Sequence, residues 1–120
     1  KRQVVSAPVA ARMALGAAAA SGSDIAVSVT GVAGPTGGDE VRPVGTVYLG
    51  AARGDTVYVQ KLFVSRPDRA LVRARAAQAA LALALRLAQG KVPAHTKPLA
   101  ASEQHSAAAL DALNEAFLAE

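Results

Sequence analysis

The chain of 120 residues contains no cysteine and few aromatic residues, and each scarcity excludes a class of function. Without cysteine there is no disulfide scaffold, thiolate metal site or cysteine nucleophile, and the composition fits a reducing, cytoplasmic compartment. Aromatic residues make up 3% of the chain, so a nucleic acid has almost nothing to stack on and is not an expected partner. The longest apolar run, Ala79–Leu85, is far shorter than the roughly 20 residues of a membrane-spanning helix, so no membrane contact is expected.

Hydrophobic residues are 52% of the chain and charged residues 18%, which is enough to form a core and excludes wholesale disorder. The net charge of +4 is unevenly distributed. Residues 101–120 carry four acids and no lysine or arginine, whereas residues 1–100 carry all 13 basic residues and five acids, a net of +8. A basic body with an acidic tail suggests either an anionic ligand or a tail that folds onto the body, although a merely solvated surface explains it equally well.

The residue pattern predicts an α/β protein. A helix begins at the capping Ser6 and ends before Gly22, and a long helix runs from residue 65 to about residue 89. Three strands lie between them, at residues 25–29, 46–53 and 56–64, with a glycine-rich loop after the first. This order indicates a layered domain with a mixed sheet at residues 1–90, followed at residues 91–120 by a linker and an acidic, helical tail with weak burial.

The apolar positions of the long helix predict which of its faces meets the core. The stripe expected to be buried runs along one side of the helix, with three further apolar residues beside it. Its members are Leu71, Ala74, Ala77, Leu81 and Leu85, and the residues beside it are Val72, Ala79 and Leu83.

The segment after the first strand is the strongest candidate for a binding site. Thr30 ends the strand, and Gly31 and Gly34 follow within a few residues, with two more glycines at positions 37 and 38. Glycines at the carboxyl end of a strand let backbone N–H groups approach an oxyanion or a phosphate. The alternative is a surface loop that needs glycine only for its turns. Neither a Walker A loop nor a dinucleotide-binding fingerprint fits the residues.

Two arginines at the start of the long helix form a second candidate. Arg69 and Arg73 lie four residues apart on one face, near the positive end of the helix dipole, where they could bind a phosphate or a carboxylate. Arg75 lies well round the helix from both. The competing interpretation is a solvated face with ion pairs to acids such as Asp68.

Other candidates are weaker. His95 and His105 have no metal ligand at suitable spacing, so no metal site is predicted. Asp39 and Glu40 could supply a general base but are more typical of a solvated loop. Tyr48 and Tyr58 lie in strands and are expected to be packing residues. The sequence shows no Ser-His-Asp arrangement of the kind that activates a serine nucleophile.

Residues 24–48 closely resemble the C-terminal domain of competence/damage-inducible protein A, whose separate forms are the nicotinamide-nucleotide amidohydrolases. The shared features are the strand end Thr-Gly-Val-Ala-Gly-Pro at residues 30–35, the Gly-Gly pair at 37–38 and Arg-Pro-Val-Gly at 42–45. Valine at 32 and arginine at 42 replace the isoleucine and lysine of the family. The resemblance extends over residues 3–89 and does not include the tail.

The resemblance implies an α/β/α domain, usually a homodimer, that hydrolyses the carboxamide of nicotinamide mononucleotide to the acid and ammonia in pyridine-nucleotide salvage. It implies that Thr30 and the backbone of Gly31, Ala33 and Gly34 line the site, and that Arg69 or Arg73 meets the anionic end of the nucleotide. It implies no cofactor.

One departure from the family affects the chemistry. The family's nucleophilic serine, with its supporting tyrosine and lysine, lies upstream of the helix with which this chain begins, so we expect a domain truncated at its N-terminus. We also expect a sheet edge that the tail or a partner must cover. Amide hydrolysis needs an activated nucleophile, whereas the matched residues are positioning groups. The alternative function is therefore a non-catalytic module for nucleotide binding or dimerisation.

Overall fold

The computed structural model describes residues 6–31, 45–65 and 68–119. The first helix, α1 (Ala7–Ser21), begins where the sequence predicts, because the Ser6 hydroxyl accepts a hydrogen bond from the amide of Val9 at 3.3 Å. It ends at Gly22, whose φ of 69° lies in the left-handed region that glycine adopts without strain.

The strands β1 (Ile25–Gly31), β2 (Thr46–Arg53) and β3 (Thr56–Phe63) form consecutive neighbours in one sheet. β2 and β3 are a hairpin that turns at residues 54 and 55. A fourth strand, β4 (Lys97–Ala100), pairs with the outer edge of β3. The sequence predicts a linker over part of β4, but Pro98 lies on an edge strand, where proline is tolerated.

All three pairings among the described strands are antiparallel, so the α/β layered class is confirmed but the expected mixed sheet is not observed. A parallel pair needs a crossover that returns the chain to the same end of the sheet. Here β2 and β3 are joined by a tight turn, and no described helix lies between β1 and β2. After the helix that follows β3, residues 89–96 return the chain along the sheet before β4 begins. β4 therefore pairs antiparallel with β3.

Helices cover both faces of the sheet. On one face, α1 and the last helix, α3 (Ala107–Leu118), enclose a core that is continued by alternate residues of β2 and β3. On the other face, α2 (Arg69–Ala88) packs against β1 and β2. Asp68 caps α2 by accepting a hydrogen bond from the amide of Leu71 at 2.8 Å. No described helix has the length and apolar character needed to cross a membrane.

The predicted burial of α2 is wrong by about half a turn, at 100° per residue. The buried residues are Val72, Ala76, Leu83 and Leu87. Leu81 and Leu85, which were expected in the core, are 70% and 57% exposed. Because α2 has alanine or leucine on nearly every side, its apolar pattern does not distinguish the face that meets the sheet from the opposite face.

The prediction of weak burial for the tail is also wrong. Helix α3 forms, as expected, but Leu113 and Phe117 are only 6% and 2% exposed. The Phe117 ring meets Tyr48 edge-on, with ring centroids 5.8 Å apart, and Lys97 places its ammonium 5.3 Å from the Phe117 centroid. The tail therefore completes the core over β2 and β3, and β4 covers the β3 edge.

Candidate functional site

Three strand ends meet at one end of the sheet. Gly31, at the carboxyl end of β1, pairs with Val47, and Thr46, at the start of β2, pairs with Phe63 at the end of β3. The amide of Val64 donates to the carbonyl of Gly45 at 3.0 Å and extends the β2–β3 ladder by one bond. We call this end of the sheet the glycine end, because Gly31 and Gly45 are the two points at which the glycine-rich segment 32–44 is attached.

The N-terminus of α1 lies toward the glycine end. Only residues 22–24 join α1 to β1, so the helix and the strand run antiparallel. The Ser28 hydroxyl donates to the carbonyl of Ala10 at 2.6 Å, which places the middle of β1 beside the second turn of α1. The first turn of α1 is therefore displaced toward Thr30, and its dipole favours an anion there.

Side chains on the α1 face of the sheet add hydroxyl groups to this end. Thr30 pairs with Tyr48, and strand alternation places both on the same face as Ser28 and Thr46. Thr30 is half-buried, while Thr46 is completely buried. The Thr46 Oγ1 has no hydrogen-bond partner among the described residues. A buried hydroxyl without a partner costs about 1–3 kcal/mol, so this oxygen marks a place where a further polar group would be stabilised.

Gly31 is required by packing as well as by any ligand. A Cβ at this position would lie 2.8 Å from Val47 Cγ2 and 3.0 Å from the carbonyl oxygen of Thr46. The strand end can therefore approach β2 closely only if residue 31 is glycine.

Arg69 begins α2 at the same end of the sheet, since β3 ends at Phe63 and only a short segment separates it from the helix. Arg69 and Arg73 are both exposed, and Arg73 lies one turn further along α2. Their helix packs on the sheet face opposite to α1, so the sheet separates them from the Thr30 and Thr46 side chains. A ligand that contacts both groups must extend around the end of the sheet.

The remaining predicted residues have mixed outcomes. Ala33 and Gly34 lie outside the described residues, as do Asp39 and Glu40. Tyr48 is confirmed as a packing residue because it is completely buried against α3.

Across residues 6–31, 45–65 and 68–119, no three histidine, aspartate or glutamate side chains are grouped as metal ligands would be. The sequence does not single out Thr46, because a threonine at the start of a strand is ordinarily explained by strand propensity alone. Its one distinguishing signal is its place after Val-Gly, where the glycine-rich segment ends.

A cleft of about 580 Å³ lies at the opposite end of the sheet, between the last turn of α1 and the β2–β3 turn. Its polar lining includes Asp24, Arg53 and Gln104, of which the first two are exposed. None of the predicted site residues lines it, so this cleft is separate from the glycine end.

Comparison with known proteins identifies the family. The model of the CinA C-terminal domain matches residues 1–88. A CinA-like protein of Geobacter sp. (strain M21) is 54% identical over 69 residues, covering 58% of this chain and 16% of that protein. The nicotinamide-nucleotide amidohydrolase PncC of Enterobacter agglomerans is 46% identical over 82 residues, covering 68% of this chain and 50% of that one.

Solved structures give the same result. The competence/damage inducible protein CihA from Agrobacterium tumefaciens matches with a TM-score of 0.68 and 35% identity, covering 72% of this chain and 53% of that one. A CinA superfamily protein from Escherichia coli matches with a TM-score of 0.64 and 36% identity, covering 70% of this chain and 48% of that one. The chain thus spans about half the length of these structures and about a sixth of the first CinA-like relative. By its sequence and its fold, the chain belongs to the CinA C-terminal domain family.

Proposed function

We propose that this chain serves the hydrolysis of the carboxamide of nicotinamide mononucleotide to the acid and ammonia, and that the nucleotide binds at the glycine end of the sheet. The observation that carries the proposal is the convergence there of the α1 N-terminus, the buried Thr46 hydroxyl and Arg69. The similarity to a nicotinamide-nucleotide amidohydrolase, at 46% identity, supports this class of substrate.

The chemistry of the ligand fits these groups. A nucleotide monophosphate presents a dianion, which the positive end of α1 and the guanidinium of Arg69 would attract. Its ribose hydroxyls and carboxamide can each donate and accept hydrogen bonds, and they would supply the partner that Thr46 Oγ1 does not have among the described residues. Thr30 then orients the carboxamide from the neighbouring strand.

Hydrolysis of an amide also needs an activated nucleophile and a general base. Two of the serine hydroxyls toward this end, those of Ser6 and Ser28, have structural roles. Ser6 accepts a hydrogen bond from the amide of Val9, and Ser28 donates one to the carbonyl of Ala10. We therefore assign binding and orientation, rather than nucleophilic attack, to the described residues at the glycine end.

Calorimetric titration of the chain with nicotinamide mononucleotide tests the proposed site. Replacing Arg69 with alanine removes a charge-assisted contact to the phosphate and should weaken binding by roughly 10- to 100-fold. Arg86→Ala is the matched control, because it removes the same charge from the same helix about 25 Å away. Equal losses for the two variants would indicate nonspecific attraction to a basic protein, and undetectable binding by the unaltered chain would contradict the proposal.

A second pair of measurements separates binding from turnover. Thr46→Val keeps the shape of the buried residue and removes its hydroxyl, so binding should weaken while the fold remains stable. Ammonia release from the mononucleotide is then measured for the unaltered chain. Binding without ammonia would favour the non-catalytic module, and sustained ammonia release would show that a nucleophile lies within these 120 residues.

A further inference from the structure

The cleft of about 580 Å³ at the end of the sheet opposite to the glycine end has no part in the proposed function. Its walls come from three parts of the chain: the last turns of α1, the β2–β3 turn and the tail. The tail supplies Ala101 and Gln104, which lie beyond the residues that the family model matches, so we call it the tail cleft. Its volume falls in the range of about 300–1,000 Å³ that is typical of small-molecule sites.

The floor of the tail cleft is apolar. Leu15 and Ala52 are 8% and 1% exposed and belong to the core that α1 and α3 form with the sheet, and Ala18 and Ala101 pack against that core. Ala19 is exposed and forms the rim. Because most of these side chains are single methyl groups, they line the space between α1 and the tail without filling it. An apolar body placed there would exchange water for carbon atoms on several sides.

Hydrogen bonds join the walls of the tail cleft, so its shape is set before any ligand binds. The amide of Ala101 donates to the carbonyl of Asp55 at 2.6 Å and fixes the tail to the β2–β3 turn. The amide of Gly22 donates to the carbonyl of Ala18 at 2.9 Å and closes the last turn of α1. A preformed site loses less conformational freedom on binding than one that the ligand must order.

The rim of the tail cleft favours a positive charge. Asp24 lines the cleft just after the C-terminus of α1, where the helix dipole places partial negative charge. Arg53 also lines the cleft, but its guanidinium donates to the carbonyl of Leu87 at the end of α2. Residue 53 pairs with Ile25, which packs toward α2, so this positive charge lies on the opposite face of the sheet.

The charges next to the tail cleft have the same sign as Asp24. Asp55 lies in the β2–β3 turn and Glu103 lies in the tail, each beside a lining residue. Arg12, on the same side of α1, lies about two turns, or ~10 Å, before the rim and does not line the cleft. An anionic ligand would therefore be repelled at this end, although the body of the protein is basic.

We propose that the tail cleft binds a small organic cation, namely a primary amine that carries an apolar body. The ammonium group lies beside Asp24 at the C-terminus of α1, and the apolar body lies on the floor formed by Leu15 and Ala52. This inference does not rest on the proposed function, because the length of α1 separates the cleft from the glycine end by about 20 Å.

Titration of the full chain with phenethylamine, followed by NMR of the backbone amides, tests the ligand class. This amine is a cation at neutral pH, and phenethyl alcohol and hydrocinnamate are neutral and anionic compounds of similar size. The signals of Gly54 and Ala101 should shift with a Kd of about 1 mM, while the signal of Gly31 at the glycine end stays in place. The alcohol should bind roughly 5-fold more weakly, and the carboxylate should not saturate.

Paired substitutions test the position of the site. Ala19→Leu puts a larger side chain at the rim and should weaken binding at least about 10-fold, while α1 is preserved because leucine is a strong helix former. Ala17→Leu makes the same change at an exposed position of α1 that does not line the cleft, and it should leave the affinity unchanged. Asp24→Asn should weaken binding roughly 3- to 5-fold, whereas Asp111→Asn removes the same charge from α3 without effect.

Saturable shifts at the cleft that decrease in the order amine, alcohol, carboxylate, and that are lost in Ala19→Leu but not in Ala17→Leu, support the proposal. Equal affinity for the three compounds, an equal loss in the two leucine variants, or no saturable shift at Gly54 and Ala101 up to about 20 mM amine overturns it. None of these outcomes depends on whether nicotinamide mononucleotide binds at the glycine end.

Discussion

At the scale of single residues, the clearest constraint is the contact between α1 and the sheet. Gly50 lies where α1 crosses β2, and a Cβ at that position would be 2.4 Å from the carbonyl oxygen of Ala10 and 2.9 Å from Ser28 Oγ. The absence of a side chain at this position is what lets the alanine face of α1 reach the strands. The same contact positions the α1 N-terminus at the glycine end.

We expect Gly50→Ala to destabilise the protein by about 2–4 kcal/mol, because backbone atoms of α1 must move to admit the methyl group. Gly16→Ala is the matched control. Nothing lies within 4 Å of a Cβ there, and the position is exposed inside a helix, so this change should stabilise by about 0.5–1 kcal/mol. Urea unfolding of both variants measures the difference, and similar effects in the two would contradict the packing of α1 on β2.

At the scale of elements, α2 shows how a helix that is apolar on several sides is oriented by its neighbours. Val72, Ala76, Leu83 and Leu87 meet residues of β1 and β2, while Leu81 and Leu85 on the opposite side of the helix stay exposed. Packing against the sheet sets this orientation, together with the Asp68 cap that begins α2 and the strand β3 that precedes the helix.

We expect Leu83→Ala to cost about 2–4 kcal/mol of stability, because it leaves a cavity between α2 and the sheet. The same change at Leu81 should cost under about 0.5 kcal/mol, since that side chain is mostly in water. Thermal unfolding at a low protein concentration compares the two. A larger loss of stability for Leu81→Ala than for Leu83→Ala would contradict the observed orientation of α2 and support the buried face that the sequence predicted.

At the scale of the whole molecule, the tail is part of the fold. The family match ends at residue 88, but β4 continues the sheet and α3 covers Tyr48 and neighbouring strand residues. The acids of α3 lie on its exposed side, so burial of Leu113 and Phe117 holds the tail to the basic body. A domain boundary near residue 90 stays a prediction.

Phe117→Ala should lower the free energy of unfolding of the entire protein by about 3–5 kcal/mol, because Phe117 packs on Tyr48 in the core that α1 and α3 form with the sheet. The single unfolding transition should shift as a whole. Leu118→Ala, one residue away and 40% exposed, is expected to change stability by under about 0.5 kcal/mol. Denaturant unfolding followed by tyrosine fluorescence and by circular dichroism tests this. An early transition of the tail alone, with the rest unaffected, would show that it is a separate unit.

Much of the architecture is determined by the sequence alone. Capping residues, glycine stops and branched runs predict α1, the first three strands and α2 to within a few residues, because these signals act over one turn or one strand. The glycine-rich motif identifies the family and directs attention to Thr30, Gly31 and the start of α2, which the structure places at one end of the sheet.

The tertiary structure alone decided the antiparallel sheet, the buried face of α2, the burial of the tail and the burial of the Thr46 side chain. Each depends on residues distant in the chain. Val59 meets Lys97, and Tyr48 meets Phe117, only once the strands are paired. A local pattern shows that a side chain is apolar or can form a hydrogen bond. Which neighbour it finds is decided when the whole chain has packed, because burial is a property of the assembled layers.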